Sequence, residues 1–352
     1  MSVYRPVNHL LPMATLRKRR RLPLPGRVLV REGQEVKPAT EVAVTITEPR
    51  YKLLDVARQL EVPPQKADAL IVVKPGDRVQ TGDVLAERKG LFRRTVTAPV
   101  EGEVVLVGDG QILLRLRSPR YALTAGVPGK VVQVVEDLGV DILVRGAVVD
   151  GVWGNGKADY GLLQMAAESP GERLSAEKLR VEMRGMVVVG GSCDDPQALE
   201  LANELPLRAL VLGSLRARLI PVALSMDIPV VVLDGFGAFP MNEAAFRLLK
   251  THAGREAAVV ADPWDREEGT RPQVIIPLDI PDAPEPLPVD EVQVGRKVRV
   301  VRQPYLGLVG TVVAVPGENT LLPNGLRVRA ADVRLDDGTH IVVPLSNLEI
   351  LA

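Results

Sequence analysis

The stretch from Gly185 to Ala261 constrains the fold more than any other part of the chain. It carries four short apolar runs, Met186-Val-Val-Val-Gly-Gly, Ala209-Leu-Val-Leu-Gly-Ser, Ile228-Pro-Val-Val-Val-Leu and Ala257-Ala-Val-Val-Ala, separated by helix-length segments. Runs without the polar alternation of a half-exposed sheet read as strands buried on both faces, which is the pattern of parallel strands. The helix signals between them agree. Asp195 is placed to cap a helix opening at Pro196, Ser214 to cap the next, and Asn242 to cap a third that ends at Gly254.

Alternating strands and helices predict a small, parallel, Rossmann-like sheet of four strands and three crossovers. Ligands bind such sheets at the carboxyl ends of the strands. Three loops are expected to meet there, Gly190-Gly-Ser-Cys-Asp194, Gly213-Ser214 and Asp234-Gly-Phe-Gly237, which makes Gly191, Ser192, Asp194, Ser214, Asp234 and Gly235 candidate ligand contacts. Small residues let backbone approach a ligand, and helix N-termini add partial positive charge. The same residues also suit ordinary tight turns. No G-x-G-x-x-G pattern is present, so dinucleotide binding has no support, and Asp234-Gly-Phe-Gly lacks the other elements of a kinase signature.

At 352 residues the chain is expected to form two or three domains. Lys plus Arg and Asp plus Glu both number 44, so no global field draws it toward an anionic or cationic partner. Cys193 is the only cysteine, which excludes an internal disulfide and points to a reducing compartment. Met1 to Pro25 lacks the apolar core of a secretion signal, and no run approaches the roughly 20 apolar residues of a membrane span. The expectation is a cytoplasmic protein without a membrane partner.

Taken in order, residues 1–25 read as a basic arm. Arg17, Lys18, Arg19, Arg20 and Arg21 cluster there, and no acidic residue precedes Glu32. A flexible arm of this kind could neutralise nucleic-acid phosphates, or serve as a solvated lead-in to the first strand.

Residues 26–150 contain an internal echo. Val28-Leu-Val-Arg-Glu-Gly-Gln-Glu-Val36 is repeated as Ile71-Val-Val-Lys-Pro-Gly-Asp-Arg-Val79, each a strand entering a glycine turn. With Gly76-Asp-Arg-Val-Gln-Thr-Gly-Asp-Val-Leu85 and the return Ala98-Pro-Val-Glu-Gly-Glu-Val104, this segment resembles the biotinyl/lipoyl-like barrel-sandwich hybrid family. Carrier members of that family bear a modified lysine on the hairpin between the two phrases. Here Gly90-Leu-Phe92 occupies that hairpin and Lys89 is displaced, so biotin or lipoate on Lys89 is rejected and no cofactor is expected.

The central α/β domain is assigned to residues 151–276. Its entry, Gly151 to Gly161, is glycine-rich, with Lys157 near amides that could meet an anion and with Trp153 and Tyr160 suited to packing between domains. Residues 277–291 are dense in proline and acid, a semi-rigid linker. Residues 292–352 alternate as strands, with hairpin signals at Asn324-Gly325 and Asp337-Gly338 and a closing strand at Leu348 to Leu351. Around Gly310 this segment resembles a KOW motif in an SH3-like barrel. That resemblance implies contact with nucleic acid or the transcription and translation machinery. Arg296, Lys297, Arg299, Arg302, Arg327 and Arg329 would then meet phosphates and Tyr305 would stack on a base. A protein-binding module is the alternative.

The fold class expected is therefore multidomain α/β and all-β. His9, His252 and His340 fall in separate modules and no metal-ligand spacing is present, so neither a catalytic set nor a metal site is assigned. The favoured reading is a non-catalytic adaptor that contacts RNA, the ribosome or RNA polymerase through its ends. The alternative is a small-molecule-binding or catalytic protein that uses the central strand-end loops.

Overall fold

The computed structural model describes residues 4–46, 50–89, 93–116, 120–265, 270–279, 281, 283 and 285–352. Most of it is strand, and the middle of the molecule is an eleven-stranded mixed sheet. Met186–Cys193, Ala209–Leu215 and Val230–Phe236 run side by side in parallel, as their apolar runs predict. Nearly every residue of these strands is buried between two cores, one built with helices Pro196–Glu204 and Ile220–Ser225 and the other with helix Glu243–Thr251.

The fourth strand corrects the expectation. Glu256–Val260 is antiparallel, and its neighbour is Ala158–Met165, a strand whose alternating polar and apolar residues gave little signal. Register explains the difference. Glu256 and Met186 both lie opposite Leu162, so Glu256–Val260 begins where the parallel strands begin and runs away from them along the protruding segment 158–162. Gln273–Pro277 and the long strand Gly139–Asp150 continue the sheet on that side.

Two of the expected caps are present. Asp195 accepts from the Gln197 amide at 3.0 Å and opens the helix Pro196–Glu204. Asn242 accepts from the amides of Ala244 and Ala245 and opens Glu243–Thr251. Ser214 caps nothing; its strand runs one residue past it, and the short helix Ile220–Ser225 has no side-chain cap. Helices of six to nine residues are too short to stand alone. The last is held by burying Ala245, Phe246 and Leu249, and full burial of the two larger side chains contributes about 1.5–3 kcal/mol each.

Residues 26–150 divide between two cores. Residues 51–116 close their own around Leu60, Leu85, Ile112 and Leu114. The flanking parts pack Val42, Val131 and Ile142 with Ala258, Val260 and Ile275 of the central sheet. The echoed phrases fall on either side of this division. Glu35–Val36 and Glu41–Ile46 pair with 129–135 and 120–124, whereas Arg78–Val79 and Val84–Arg88 pair with 102–108 and 94–97. Their turn glycines, Gly33 and Gly76, sit at φ 82° and 96°, as the phrase requires.

The N-terminal residues are not a free arm. Tyr4–Asn8 pairs with Val289–Glu291 and with Leu348–Leu351, inside a seven-stranded C-terminal sheet. After His9 the chain crosses into the central sheet, where Leu10–Arg21 pairs along Gly139–Asp150. Period-2 burial of Ala14, Leu16 and Lys18 drives this, with Met13, Arg17 and Arg19 facing outward. The expected linker is docked in the same way: Pro288 accepts from the Val7 amide, and Thr15 Oγ1 accepts from the Ala283 amide. Residues 4–21 thus stitch the C-terminal sheet to the central one. Among the described residues no helix is long and apolar enough to cross a membrane.

Candidate functional site

The three strand-end loops do converge. Ser192 lies opposite Ser214, and Ser214 opposite Gly235, across adjacent parallel strands. The chain itself fills much of the space beyond them. Residues 172–174 lie along the end of the first strand, where Ser192 donates its amide to Glu172 and accepts from Leu174. They come so close that a Cβ on Gly191 would sit 1.7 Å from the Glu172 carbonyl oxygen. Asp194 is held by Arg173 at 3.2 Å. Ser214, fully buried, donates its hydroxyl to the Phe239 carbonyl at 2.7 Å.

Asp234 is where the central sheet meets the C-terminal sheet. Its carboxylate accepts from the Asn242 amide at 2.7 Å and from Arg299 Nη1 at 2.6 Å. Arg299 reaches on to Glu349, with Nη2 2.5 Å from Oε2. Arg271 approaches Glu349 Oε1 to 2.6 Å, but off the donor axis, so this is an ion contact rather than a completed hydrogen bond. All four side chains are at least nine-tenths buried, and their charges cancel. Burial pushes the Asp234 carboxyl above its ordinary range against the pull of Arg299. Burial acts on Glu349 in the same sense, yet two arginines outweigh it and hold that carboxyl below its ordinary value. The difference follows from the contacts, since Asp234 has one cation and Glu349 has two. For Arg299, burial opposes the charge and the two carboxylates overcome it, so its pKa rises.

A cleft of about 490 Å³ opens beside this network, at the carboxyl end of Val230–Phe236. Phe236 and Trp264 contribute flat apolar faces, and Arg5 and Arg302 contribute positive charge. Arg5 is held by the carbonyls of Ser346 and Leu348. Arg302 is exposed on the rim, and no ion pair of its own holds it among the described residues. Trp153 packs edge-on against Phe236, with ring centroids 6.1 Å apart, which supports the wall from behind. A further recess of about 590 Å³ lies across the same seam, near Asn242 and Lys297. Among the described residues no group of His, Cys, Asp and Glu is arranged to hold a metal.

Most of the cations expected to meet phosphates are engaged within the protein. Arg299 is buried in the seam, Arg296 pairs with Asp290 at 2.5 Å, and Lys297 lies 3.8 Å from Asp336. Arg21 pairs with Asp141, Arg17 reaches Glu285, Arg20 donates to the Thr124 carbonyl, and Lys18 is buried. Arg19 lies on the exposed side of its strand and has a partner, and Arg329 is half-buried. Arg302, Tyr305 and Arg327 remain exposed. Lys157, considered for anion contact, donates to the Met226 carbonyl at 2.5 Å. Lys89 is exposed, and the hairpin 90–92 lies outside the described residues.

Sequence reasoning missed Arg271, Glu349, Trp264 and Arg5 as a set. They come from three distant segments, and nothing local links them. Asp234, expected as a ligand contact at a strand end, and Arg299, expected as a phosphate contact, are brought together in the seam as an ion pair.

Residues 30–117 match the family of the RnfC barrel sandwich hybrid domain, about a quarter of the chain. No curated protein matches the chain. Fold and match together define a mostly β, multidomain protein with an N-terminal barrel-sandwich hybrid.

Proposed function

We propose that this chain is a binding protein whose ligand site is the seam cleft, and that the ligand joins an anionic group to a flat ring, as a mononucleotide does. The observation that carries this reading is the pairing of Arg302 with Phe236 and Trp264 around one cleft at the end of a parallel strand. Cleft position and lining of this kind are what small-molecule sites use: apolar walls for area and a few polar groups for orientation. The network beneath the cleft favours holding over chemistry. Asp234 and Glu349 are committed to arginines, which leaves them poor bases for a substrate proton. The test is a thermal-shift and calorimetric panel of mononucleotides. Binding of about one equivalent, weakened at least about tenfold by Arg302→Glu, supports the reading, and no binding across the panel removes it.

A second reading keeps the partner macromolecular. The C-terminal module resembles a KOW motif in an SH3-like barrel, and Arg302, Tyr305 and Arg327 are its exposed cationic and aromatic groups. An RNA strand, presented by a ribosome or polymerase, would lay one nucleotide in the cleft and its neighbours along these residues. Cosedimentation with ribosomes or polymerase at low salt, lost in Arg302→Glu and Tyr305→Ala, supports this version. Mononucleotide binding without any cosedimentation leaves only the first.

A further inference from the structure

A third recess, polar and of about 200 Å³, lies between the N-terminal strand, the central sheet and the docked residues 285–288. Two cations that line it are buried, Lys18 at 7 % and Arg271 at 4 % exposure, and among the described residues neither finds an acceptor for each of its donors. Lys18 Nζ has three protons to donate but makes one hydrogen bond, to Gln273 Oε1 at 3.1 Å, while Asp262 stands off at 3.8 Å. Arg271 completes no hydrogen bond from Nη1 or Nη2. Its guanidinium is otherwise met by the Trp264 ring at 4.1 Å and by the ion contact to Glu349. Buried donors without acceptors are costly, and charged ones more so.

The acids around the recess are mostly taken. Asp150 Oδ2 accepts from the His9 amide at 3.0 Å and lies 2.7 Å from His9 Nδ1, and Asp150 Oδ1 accepts from Gln273 Nε2 at 2.8 Å. His9 Nε2 is 3.0 Å from the Leu287 carbonyl. Glu285 faces Arg17 at 3.4 Å. Among the described residues the lining carries Arg17, Lys18, Arg19 and Arg271 against the carboxylates Asp150, Asp262 and Glu285, with Glu349 standing against Arg271 from outside the recess. Burial lowers the Lys18 pKa despite the opposing pull of Asp262.

We infer that this recess binds a small tetrahedral oxyanion, such as phosphate or sulfate, between Lys18 and Arg271. The recess has room for such an ion with a few waters, each occupying roughly 30 Å³, but not for a nucleotide. Charge-assisted hydrogen bonds from an ammonium and a guanidinium are the contacts that oxyanions use. The site joins the N-terminal strand, the central sheet and the docked segment, so occupancy stabilises the folded protein.

Inorganic phosphate is the probe. The full-length protein is melted in chloride buffer at constant ionic strength over increasing phosphate. A saturable rise in Tm is expected, with Lys18→Met and Arg271→Met each weakening the apparent affinity at least about tenfold. Arg302→Glu leaves the rise intact, which separates this site from the seam cleft. Should either methionine variant fail to fold, equilibrium dialysis of the unaltered protein decides: about one phosphate per chain, displaced by sulfate and not by chloride, supports the site. A flat Tm in the unaltered protein, a rise that survives in both folded variants, or no retained phosphate overturns it.

Discussion

Replacing Arg299 with methionine tests whether the seam is held by its buried charges. Arg299 is 3 % exposed and contacts Asp234 at 2.6 Å and Glu349 at 2.5 Å. Methionine keeps most of the side-chain length and removes the cation. Breaking a buried ion pair from one side costs about 3–5 kcal/mol, because the partner is left charged without compensation. Glu349 keeps Arg271 as a neighbour, whereas Asp234 keeps only the Asn242 amide, so most of the loss arises at Asp234. The loss should depend on pH in a definite sense. Burial already raises the Asp234 carboxyl above 3.8, and losing Arg299 raises it further. An acid raised in the folded state favours folding at low pH and opposes it as pH climbs through the folded pKa. Urea unfolding followed by fluorescence of Trp153 and Trp264 should therefore show the full loss near pH 8 and a smaller one near pH 5. The triple variant Arg299→Met with Asp234→Asn and Glu349→Gln should recover much of it, since no buried charge is then orphaned. A loss below about 1 kcal/mol, or one that grows on acidification, refutes this reasoning.

Other outcomes follow from single features. The Lys18 pKa is lowered from 10.5, so the unfolded chain binds more protons between the two values. Stability should rise as pH climbs toward about 10.5, and Lys18→Met should lack that rise. Burial pushes the Cys193 thiol up to about 11, so at pH 8 a disulfide reagent should label it only after denaturant is added; fast labelling of the native protein would contradict its burial. Gly191→Ala places a methyl against the Glu172 carbonyl and should cost about 1–3 kcal/mol, with faster hydrogen exchange at Ser192. Deleting residues 1–8 removes two strand pairings, and limited proteolysis should then cut the C-terminal sheet well before the central one.

Local pattern made parts of this fold readable. The apolar runs at 186–191, 209–213 and 230–233, the caps at Asp195 and Asn242, and the turn glycines Gly33 and Gly76 express nearest-neighbour physics, and all sit where their residue types require. The N-terminal strand was hidden because its cations dominate the composition. Ala14 and Leu16 alternate inward, but Lys18 continues the inward row with a charge, which breaks the usual apolar signature. The direction of Glu256–Val260 depends on its register against Ala158–Met165, a pairing across nearly a hundred residues. The seam is illegible for the same reason. Arg271 and Glu349 carry no local signal, Asp234 reads as a strand-end ligand contact and Arg299 as a phosphate contact until the fold brings the four together, and three of the cations expected to meet phosphates, Lys18, Arg299 and Arg21, are engaged within the protein.

The most direct test of the seam cleft uses its own tryptophan. In a Trp153→Phe background, Trp264 is the one remaining tryptophan and lines the cleft. Titration with adenosine monophosphate should quench or shift its emission to saturation, and Arg302→Glu should move the midpoint at least about tenfold to higher concentration. Emission that stays constant through millimolar nucleotide, or an identical midpoint in Arg302→Glu, would contradict the assignment of this cleft as the ligand site.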